Sequence, residues 1–273
     1  MFKKYETQLA GRNLSIETGK IAELANGSVV VRYGETVVMV NVTAAKEPKE
    51  GVDFFPLSVD YEEKLYVGKI PGGFTKREGK PTDKAILTSR AIDRPLRPLF
   101  PKDFRNDTCV VATVLSVDPD NSPEVCAMIG ASAALSISDI PFGGPTAAVA
   151  VGYVDNQIVI NPTLTVAGTL EKITMIEAGA DEIPNDTMLE AIKTAHEEIK
   201  KICNFISDIK AEIGKPKFEY KSFATDPEVY NEIVANFKDR MYQDVQATDK
   251  TVRDANIEKI TEDITAYFVE KYG

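Results

Sequence analysis

Six side chains between residues 74 and 97 combine an aromatic ring with positive charge. They are Phe74, Lys76, Arg77, Arg90, Arg94 and Arg97. An aromatic ring can stack on a nucleobase, and a guanidinium group can bind two phosphate oxygens at once. This pattern therefore favours binding of a flexible, single-stranded nucleic acid. The alternative is a solvated cationic face in which Asp93 pairs with one arginine, because charge runs usually face solvent.

Charge is distributed unevenly along the 273 residues. The chain has a formal net charge of −10, which by itself argues against binding to a polyanion. Residues 64–105, however, hold eleven basic side chains against four acidic ones. The sequence therefore predicts that any contact with nucleic acid is concentrated in this basic segment.

Two predicted elements carry the six side chains. Residues 71–81 are rich in Gly and Pro, which predicts a loop. Thr82 is a predicted helix cap, and Arg90 and Arg94 are four residues apart on one face of the helix that follows. Pro95 is expected to stop this helix just before Arg97. We expect the three arginines to form one basic surface that continues into the loop.

The remaining pattern predicts an α+β protein with two parts. Strands are predicted at residues 14–18, 28–32, 36–40, 108–117, 147–154, 157–160 and 172–177. A small-residue helix, capped by Ser122 and ending at Asp139, is expected to pack centrally against a sheet. A long amphipathic helix is predicted from Pro184 to Gly214, and only charged helices follow Asp226. The predicted domains are a core at 1–215 and a helical region at 216–273.

The sequence also limits the compartment and the redox chemistry. Cys109, Cys126 and Cys203 have apolar neighbours and no metal-ligand spacing, so they are predicted to be reduced core residues. No run is long and apolar enough to span a bilayer. A cytoplasmic protein without a membrane partner is expected.

Two motifs resemble those of a known family. Residues 71–79 read PGGF, then REG after two residues, and residues 89–100 read SRAIDRPLRPLF. Both are very similar to the first core of the polynucleotide phosphorylases, and the similarity extends from the N-terminal strands to the predicted helical linker. It implies a ribonuclease-PH-like core, a mixed sheet packed with helices, followed by an all-α linker that we expect to be truncated.

The resemblance also implies roles for the six side chains. Phe74, Lys76 and Arg77 would line the constriction of a trimeric ring's central channel. Arg90, Arg94 and Arg97 would guide RNA or phosphate. Thr75 and Lys76 replace the middle of the family's common Phe-Phe-Arg-Arg loop, but the cationic clamp is kept.

The activity that the resemblance implies is nucleotidyl transfer during mRNA degradation. A 3′–5′ phosphorolytic exoribonuclease uses inorganic phosphate to release nucleoside diphosphates from single-stranded RNA. The expected cofactor of the full-length enzyme is Mg²⁺, held outside this chain. The expected partners are two further copies in a homotrimer and an RNA-degradation complex.

This part of the enzyme is expected to lack a catalytic site. The acid, acid and lysine of the family's second, active core correspond here to Gln157, Thr163 and Thr165. None of these side chains is a carboxylate that binds Mg²⁺ or a lysine. The family's Ser-rich phosphate loop corresponds to residues 121–124, where Pro123 removes an N–H donor and Glu124 adds negative charge. No catalytic and no metal-binding residue is therefore predicted.

Two other functions remain open from the residues. The chain could be a stand-alone RNA-binding or scaffold module that never meets a catalytic half. It could also be a self-sufficient ribonuclease-PH-type enzyme, although Gln157, Thr163 and Thr165 count against that function.

Overall fold

The chain consists of two compact units. A computed structural model describes residues 2–64, 80–155, 157–160, 164–180 and 182–272. The units are Met1–Ser222, which contains all the strands of the described residues, and Phe223–Gly273, whose described elements are helices. The predicted combination of a mixed sheet with helices is confirmed.

The larger sheet of the first unit has six strands. They are β1 (Lys3–Leu9), β2 (Arg12–Thr18), β3 (Gly27–Tyr33), β4 (Thr36–Ala44), β5 (Leu57–Glu63) and β6 (Thr108–Ser116), in the order β1-β2-β3-β4-β6-β5. Neighbouring strands are antiparallel except for β5 and β6, which are parallel. The edge strand β1 was not predicted, because its sequence KKYETQL is mostly polar and contains few β-branched residues.

The second sheet has four antiparallel strands. They are β7 (Ala147–Val154), β8 (Gln157–Ile160), β9 (Leu164–Gly168) and β10 (Ile173–Glu177), in the order β10-β9-β7-β8. The short strand β9 was not among the predicted strands. Its pairing with both β7 and β10 places it inside the sheet.

Three helices belong to this unit: α1 (Asp83–Leu96), α2 (Pro123–Ile137) and α3 (Asn185–Ile213). Helix α2 is almost entirely buried and contacts β3, β4, β7 and α3, as the small-residue pattern predicted. At Gly130 a Cβ atom would lie 2.6 Å from Cγ2 of Val40, so this close packing on the sheet requires glycine. The helix ends at Ile137 rather than Asp139, because Ser138 is extended while its N–H still bonds Ala134.

A connector at residues 215–222 packs on the first unit. The backbone N–H of Lys215 donates to the carbonyl of Ile137 at 3.0 Å, and that of Phe218 to Asp139 at 2.8 Å. The Nζ of Lys217 donates to the carbonyls of Leu135, Ser136 and Ser138, which caps the end of α2. Because of these bonds, residues 215–222 belong to the first unit, which extends to Ser222.

The second unit contains helices α4 (Pro227–Asp244) and α5 (Lys250–Tyr272). Among its described residues only Ile260 is a buried hydrophobic residue. The rings of Phe237 and Tyr267 meet edge to face at 5.6 Å, and Glu232 accepts hydrogen bonds from Tyr267 and Lys271. In the part of the chain that the structure describes, no helix is long and apolar enough to cross a membrane.

The three cysteines have free thiols. Cys126 and Cys203 are buried, and burial raises the pKa of each thiol to about 12. Cys109, on β6, is only partly buried, and burial also raises its pKa. A thiol with a raised pKa is a poor nucleophile at neutral pH.

Candidate functional site

Helix α1 presents the arginine face and is fixed to the sheet on its other side. The Thr82 hydroxyl accepts the N–H of Ala85 at 3.1 Å, so the predicted cap forms. The Ser89 hydroxyl accepts the N–H of Tyr61 on β5 at 3.0 Å. Ile92 and Leu96 are buried, so the opposite face, which carries the arginines, is exposed.

Pro95 is the second-last residue of α1, which ends just before Arg97 as the sequence predicted. The helix continues to Leu96, and a 3₁₀ turn, Arg97–Leu99, follows it. Proline removes one backbone hydrogen bond, but here the loss falls in the last turn of the helix. The N–H of Arg97 still donates to the carbonyl of Asp93, which carries the helical path past the proline.

Arg90, Arg94 and Arg97 are all exposed and are spaced four and three residues apart. Side chains at this spacing lie on one face of a helix. Arg90 has no hydrogen-bond or ion-pair partner among the described residues. Its guanidinium group is therefore the one of the three that can bind a ligand without first losing a partner within these ranges.

Arg94 is weakly held. Its NH2 atom lies 3.4 Å from Oε2 of Glu177 on β10, and the two side chains are 46% and 53% exposed. An ion pair with this exposure contributes about 0–1 kcal/mol, because water screens both charges. A phosphate oxygen can therefore compete with Glu177 for Arg94.

Arg97 is firmly held. It forms a bidentate pair with Asp93, with Nε and NH2 at 2.9 and 2.8 Å from the two carboxylate oxygens. Its NH1 and NH2 also donate to the carbonyls of Phe55 and Leu57 at 3.1 and 3.2 Å. The guanidinium carbon lies 5.8 Å from the centre of the Phe55 ring. Asp93 thus pairs with one arginine, as the alternative interpretation of this face expected.

Phe74, Lys76 and Arg77 lie outside the described residues, and so does Thr163. The predicted continuity between the arginine face and the loop therefore stays a prediction. Lys80, within the predicted loop, is described, and it is exposed.

The two described positions that correspond to catalytic residues lie on the second sheet. Gln157 pairs with Val154, and Thr165 pairs with Ala150 on one side and Glu177 on the other. Because residues in register on neighbouring strands share a face, Gln157, Thr165 and Glu177 lie on the same face. Glu177 supplies a carboxylate there, but this carboxylate pairs with Arg94.

Gln157 and Thr165 bring no carboxylate to this face, and the carboxylate of Glu177 is paired with Arg94. Mg²⁺ is usually held by one or two carboxylates together with phosphate and water. Within residues 2–64, 80–155, 157–160, 164–180 and 182–272, no three His, Cys, Asp or Glu side chains are grouped so that they could hold a metal ion.

The start of α2 carries an internal ion pair. Ser122 stands at the N-cap, but its hydroxyl does not cap the helix, because it donates to the carboxylate of Glu124 instead. The Nζ of Lys84, in the first turn of α1, lies 3.0 Å from the other carboxylate oxygen. Burial raises the pKa of Glu124, but Ser122, the backbone of Glu124 and Lys84 outweigh it, so the pKa lies below its ordinary value.

A polar network fixes the residues that precede α2. The NH1 of Arg12 donates to Oδ1 of Asn121 at 2.6 Å, and Nδ2 of Asn121 donates to Asp118 at 2.6 Å. The Thr36 hydroxyl donates to the carbonyl of Asn121 at 2.8 Å. Gly34 has a φ of +59°, and a Cβ there would lie 2.5 Å from Asn121, so glycine is required at this contact. The network holds the first turn of α2 in place.

Two family models match the chain in consecutive segments. Domain 1 of the 3′ exoribonuclease family matches residues 10–141, and domain 2 of the same family matches residues 163–198. The chain belongs to the 3′ exoribonuclease family. The first match contains strands β2–β6, the arginine face and all of α2, and the second contains β9, β10 and the first half of α3.

Curated relatives identify the branch of this 3′ exoribonuclease family. The polyribonucleotide nucleotidyltransferase of Ruminiclostridium cellulolyticum is 58% identical over 284 residues, which cover 100% of this chain and 40% of the relative. That of Caldicellulosiruptor saccharolyticus is 57% identical over 277 residues, with 97% and 40% covered. That of Clostridioides difficile is 56% identical over 278 residues, with 97% and 39% covered.

These matches confirm the predicted resemblance, since polyribonucleotide nucleotidyltransferase is another name for polynucleotide phosphorylase. The chain spans about two fifths of the length of these relatives.

Sequence reasoning found the arginines and Asp93, but not Glu177 as the partner of Arg94 or Glu124 as the partner of Lys84. Glu177 and Glu124 are separated from Arg94 and Lys84 by long stretches of sequence, and no spacing rule connects them. Only the packing of α1 against β10 and α2 brings these charges together.

Proposed function

We propose that this chain is the RNA-holding, ring-forming part of a 3′–5′ phosphorolytic exoribonuclease and does not carry out the reaction itself. In the whole enzyme, an oxygen of inorganic phosphate attacks the 3′-terminal phosphodiester. The bond from that phosphorus to the preceding 3′ oxygen breaks, the oxygen takes up a proton, and a nucleoside diphosphate leaves. Mg²⁺ and the catalytic acids belong to a second core outside these 273 residues.

The main observation in support of this proposal is the exposed guanidinium group of Arg90. Its guanidinium group is exposed on the outer face of α1 and has no partner among the described residues. An unpaired guanidinium can bind phosphate oxygens bidentately without the cost of breaking an existing bond. The neighbouring Arg94 lies on the same face and has only an exposed ion pair to exchange.

The other four predicted residues have two different proposed roles. Arg97 supports the face, because Asp93 and two backbone carbonyls already bind its guanidinium group. Phe74, Lys76 and Arg77 form the constriction through which the RNA strand passes. This role follows from the resemblance to the polynucleotide phosphorylases and from the chemistry of stacking and charge.

The assembly belongs to the same proposal. Three copies form a ring around the RNA strand, the ring works in the cytoplasm, and it joins an RNA-degradation complex. This part of the proposal rests on the resemblance to the polynucleotide phosphorylases, the family to which the relatives' name belongs.

Binding of single-stranded oligoadenylate to this chain, measured over a range of salt concentrations, tests the proposal. Three to five cations on phosphate predict a log–log slope of about −2 to −3.5, at roughly −0.7 for each contact. Arg90→Ala is expected to lower both the affinity and the slope. Phe74→Ala is expected to lower the affinity and keep the slope, because stacking involves no counterion release.

Arg32→Ala is the matched control, since Arg32 is also an exposed arginine but lies on β3 and pairs with Glu35. It is expected to leave the affinity close to that of the unchanged chain. Binding that does not depend on salt, or an equal loss in Arg32→Ala and Arg90→Ala, would contradict the proposed RNA face.

A further inference from the structure

The first turn of α2 collects hydrogen-bond donors around a carboxylate of the chain itself. The hydroxyl of Ser122 and the ammonium group of Lys84 donate to different oxygens of Glu124. The positive end of the helix dipole lies at the same place. A hydroxyl, an ammonium group and a helix N-terminus are typical of a site for an anion. Here the anion is the carboxylate of Glu124, which belongs to the chain itself.

Burial shows that this carboxylate is part of the packing. The side chain of Glu124 is only 24% exposed, whereas that of Lys84 is 66% exposed. A carboxylate that loses most of its water needs compensating donors, and Glu124 has them from two different elements. Lys84 is the partner that lies on another helix, so this pair joins the first turns of α1 and α2.

The pair of Lys84 and Glu124 lies at the start of the helix that carries the proposed RNA-binding arginines. Lys84 is the second residue of α1, and Arg90 and Arg94 follow on the same helix. The far end of α1 is held separately, by the bonds of Arg97 to Asp93, Phe55 and Leu57. At the near end, among the described residues, the bond of Lys84 to Glu124 is the ion pair that ties α1 to another helix.

We propose that Glu124 is a positioning residue for RNA binding: its carboxylate serves as an internal anion at the start of α2 and, through Lys84, fixes the first turn of α1, the helix that carries Arg90 and Arg94. The proposal deepens the RNA-holding function and rests on it. Glu124 then does more than prevent phosphate from binding at the start of α2. The negative charge that excludes an external anion also anchors the neighbouring helix.

Amide hydrogen exchange of the full chain tests the anchor without RNA. Glu124→Gln keeps the shape of the side chain and removes its charge, and Lys84→Met removes the partner. Both are expected to raise exchange at residues 85–89 by about threefold to tenfold, because the first turn of α1 opens more often. Glu197→Gln, which removes an exposed pair with Lys200 on α3, is the matched control. Unchanged exchange at residues 85–89 in both variants would show that the Lys84–Glu124 pair does not fix the first turn of α1.

A charge reversal separates this arrangement from a simple ion pair. The double variant Lys84→Glu with Glu124→Lys restores opposite charges but puts a cation against the positive end of α2. It is expected to keep the fast exchange at residues 85–89, whereas Glu124→Asp, which keeps the negative charge, is expected to recover part of the protection. Full protection in the reversed pair would show that α2 does not require an anion.

Oligoadenylate binding then tests the connection to function. Glu124→Gln makes the chain less negative, so electrostatics alone predicts tighter RNA binding. Positioning predicts the opposite, a loss of about threefold to tenfold with the salt slope kept, because the cations remain but are less well placed. Tighter or unchanged binding would overturn the positioning role. If the unchanged chain bound no RNA, the proposed function would fail, whereas the exchange data would still decide the anchor.

Discussion

Asp93 and Arg97 lie one helical turn apart and form two parallel hydrogen bonds, at 2.9 and 2.8 Å. The same guanidinium group donates to two backbone carbonyls in the segment before β5 and at its start. Arg90, on the same face of α1, has none of these partners among the described residues. Two of the arginines that the sequence grouped together therefore differ in role: Arg97 supports the fold, and Arg90 is available to a ligand.

The first prediction separates these two arginines by stability. Arg97→Ala is expected to lower the free energy of unfolding by about 1–2 kcal/mol, because it removes charge-assisted hydrogen bonds between α1 and the chain before β5. Arg90→Ala is expected to stay within about 0.5 kcal/mol of the unchanged chain. Urea denaturation of both variants measures the difference. Equal losses of stability would contradict this division.

The second prediction concerns the competition for Arg94. Glu177→Gln removes the carboxylate that lies 3.4 Å from Arg94 and is expected to raise oligoadenylate affinity by about 1.5-fold to fivefold, the equivalent of an exposed ion pair. Titration with labelled oligoadenylate at low salt measures the change. Glu212→Gln is the control of equal charge change, because Glu212 pairs with Lys3 on β1. An equal gain in both variants would assign the effect to net charge alone.

Local signals in the sequence predicted most of the elements correctly. Thr82 caps α1, and Gly214 ends the amphipathic helix α3, because each of these features depends on neighbouring residues. The small residues of α2 predicted its central position, which the 2.6 Å approach to Val40 at Gly130 explains. The edge strand β1 was not predicted, since its sequence is mostly polar and its strand structure depends on pairing with β2.

The features that the sequence did not predict depend on contacts between distant residues. Pro95 ends α1 within one residue, as expected, but the chain then continues as a 3₁₀ turn in which Arg97 bonds the carbonyls of Phe55 and Leu57. Ser122 was expected to cap α2, but its hydroxyl donates to the carboxylate of Glu124, which also pairs with Lys84. No local pattern encodes a pair that joins two helices.

The third prediction is a pH dependence that originates at Glu124. Its pKa is held below the ordinary value of 4.5, so the ionised form is favoured by folding. The stability that it contributes is therefore fully present above pH 4.5 and is lost as the pH falls through the lowered pKa of the folded state. Glu124→Gln removes this contribution at every pH. The difference in unfolding free energy between the two proteins is expected to shrink as the pH falls.

Urea denaturation from about pH 7 to about pH 3 measures that difference. Glu197→Gln is again the control: the hydrogen bond from Lys200 lowers the pKa of Glu197 as well, but water screens this exposed pair, so a smaller difference that also shrinks at low pH is expected. A difference that grows towards low pH would have the wrong sign and would contradict the lowered pKa of Glu124.

The last prediction is that this chain alone does not degrade RNA with phosphate, with or without Mg²⁺. Phosphorolysis needs a bound phosphate nucleophile, a cation to stabilise developing charge and a proton donor for the leaving oxygen. Gln157 and Thr165 supply neither a carboxylate nor an ammonium group, and Glu177 on the same face is paired with Arg94. At the start of α2, the carboxylate of Glu124 already takes the donors that an external phosphate would need.

Incubation of the purified chain with oligoadenylate, inorganic phosphate and Mg²⁺, followed by chromatography for nucleoside diphosphate, measures the activity. No release above the level without protein is expected, although Arg90 and Arg94 still bind the RNA. Arg90→Ala distinguishes a contaminating nuclease from an activity of this chain, because a contaminant is indifferent to the substitution. Release that survives repurification and disappears in Arg90→Ala would place a working site in this chain, and the assignment of catalysis to a second core would be wrong.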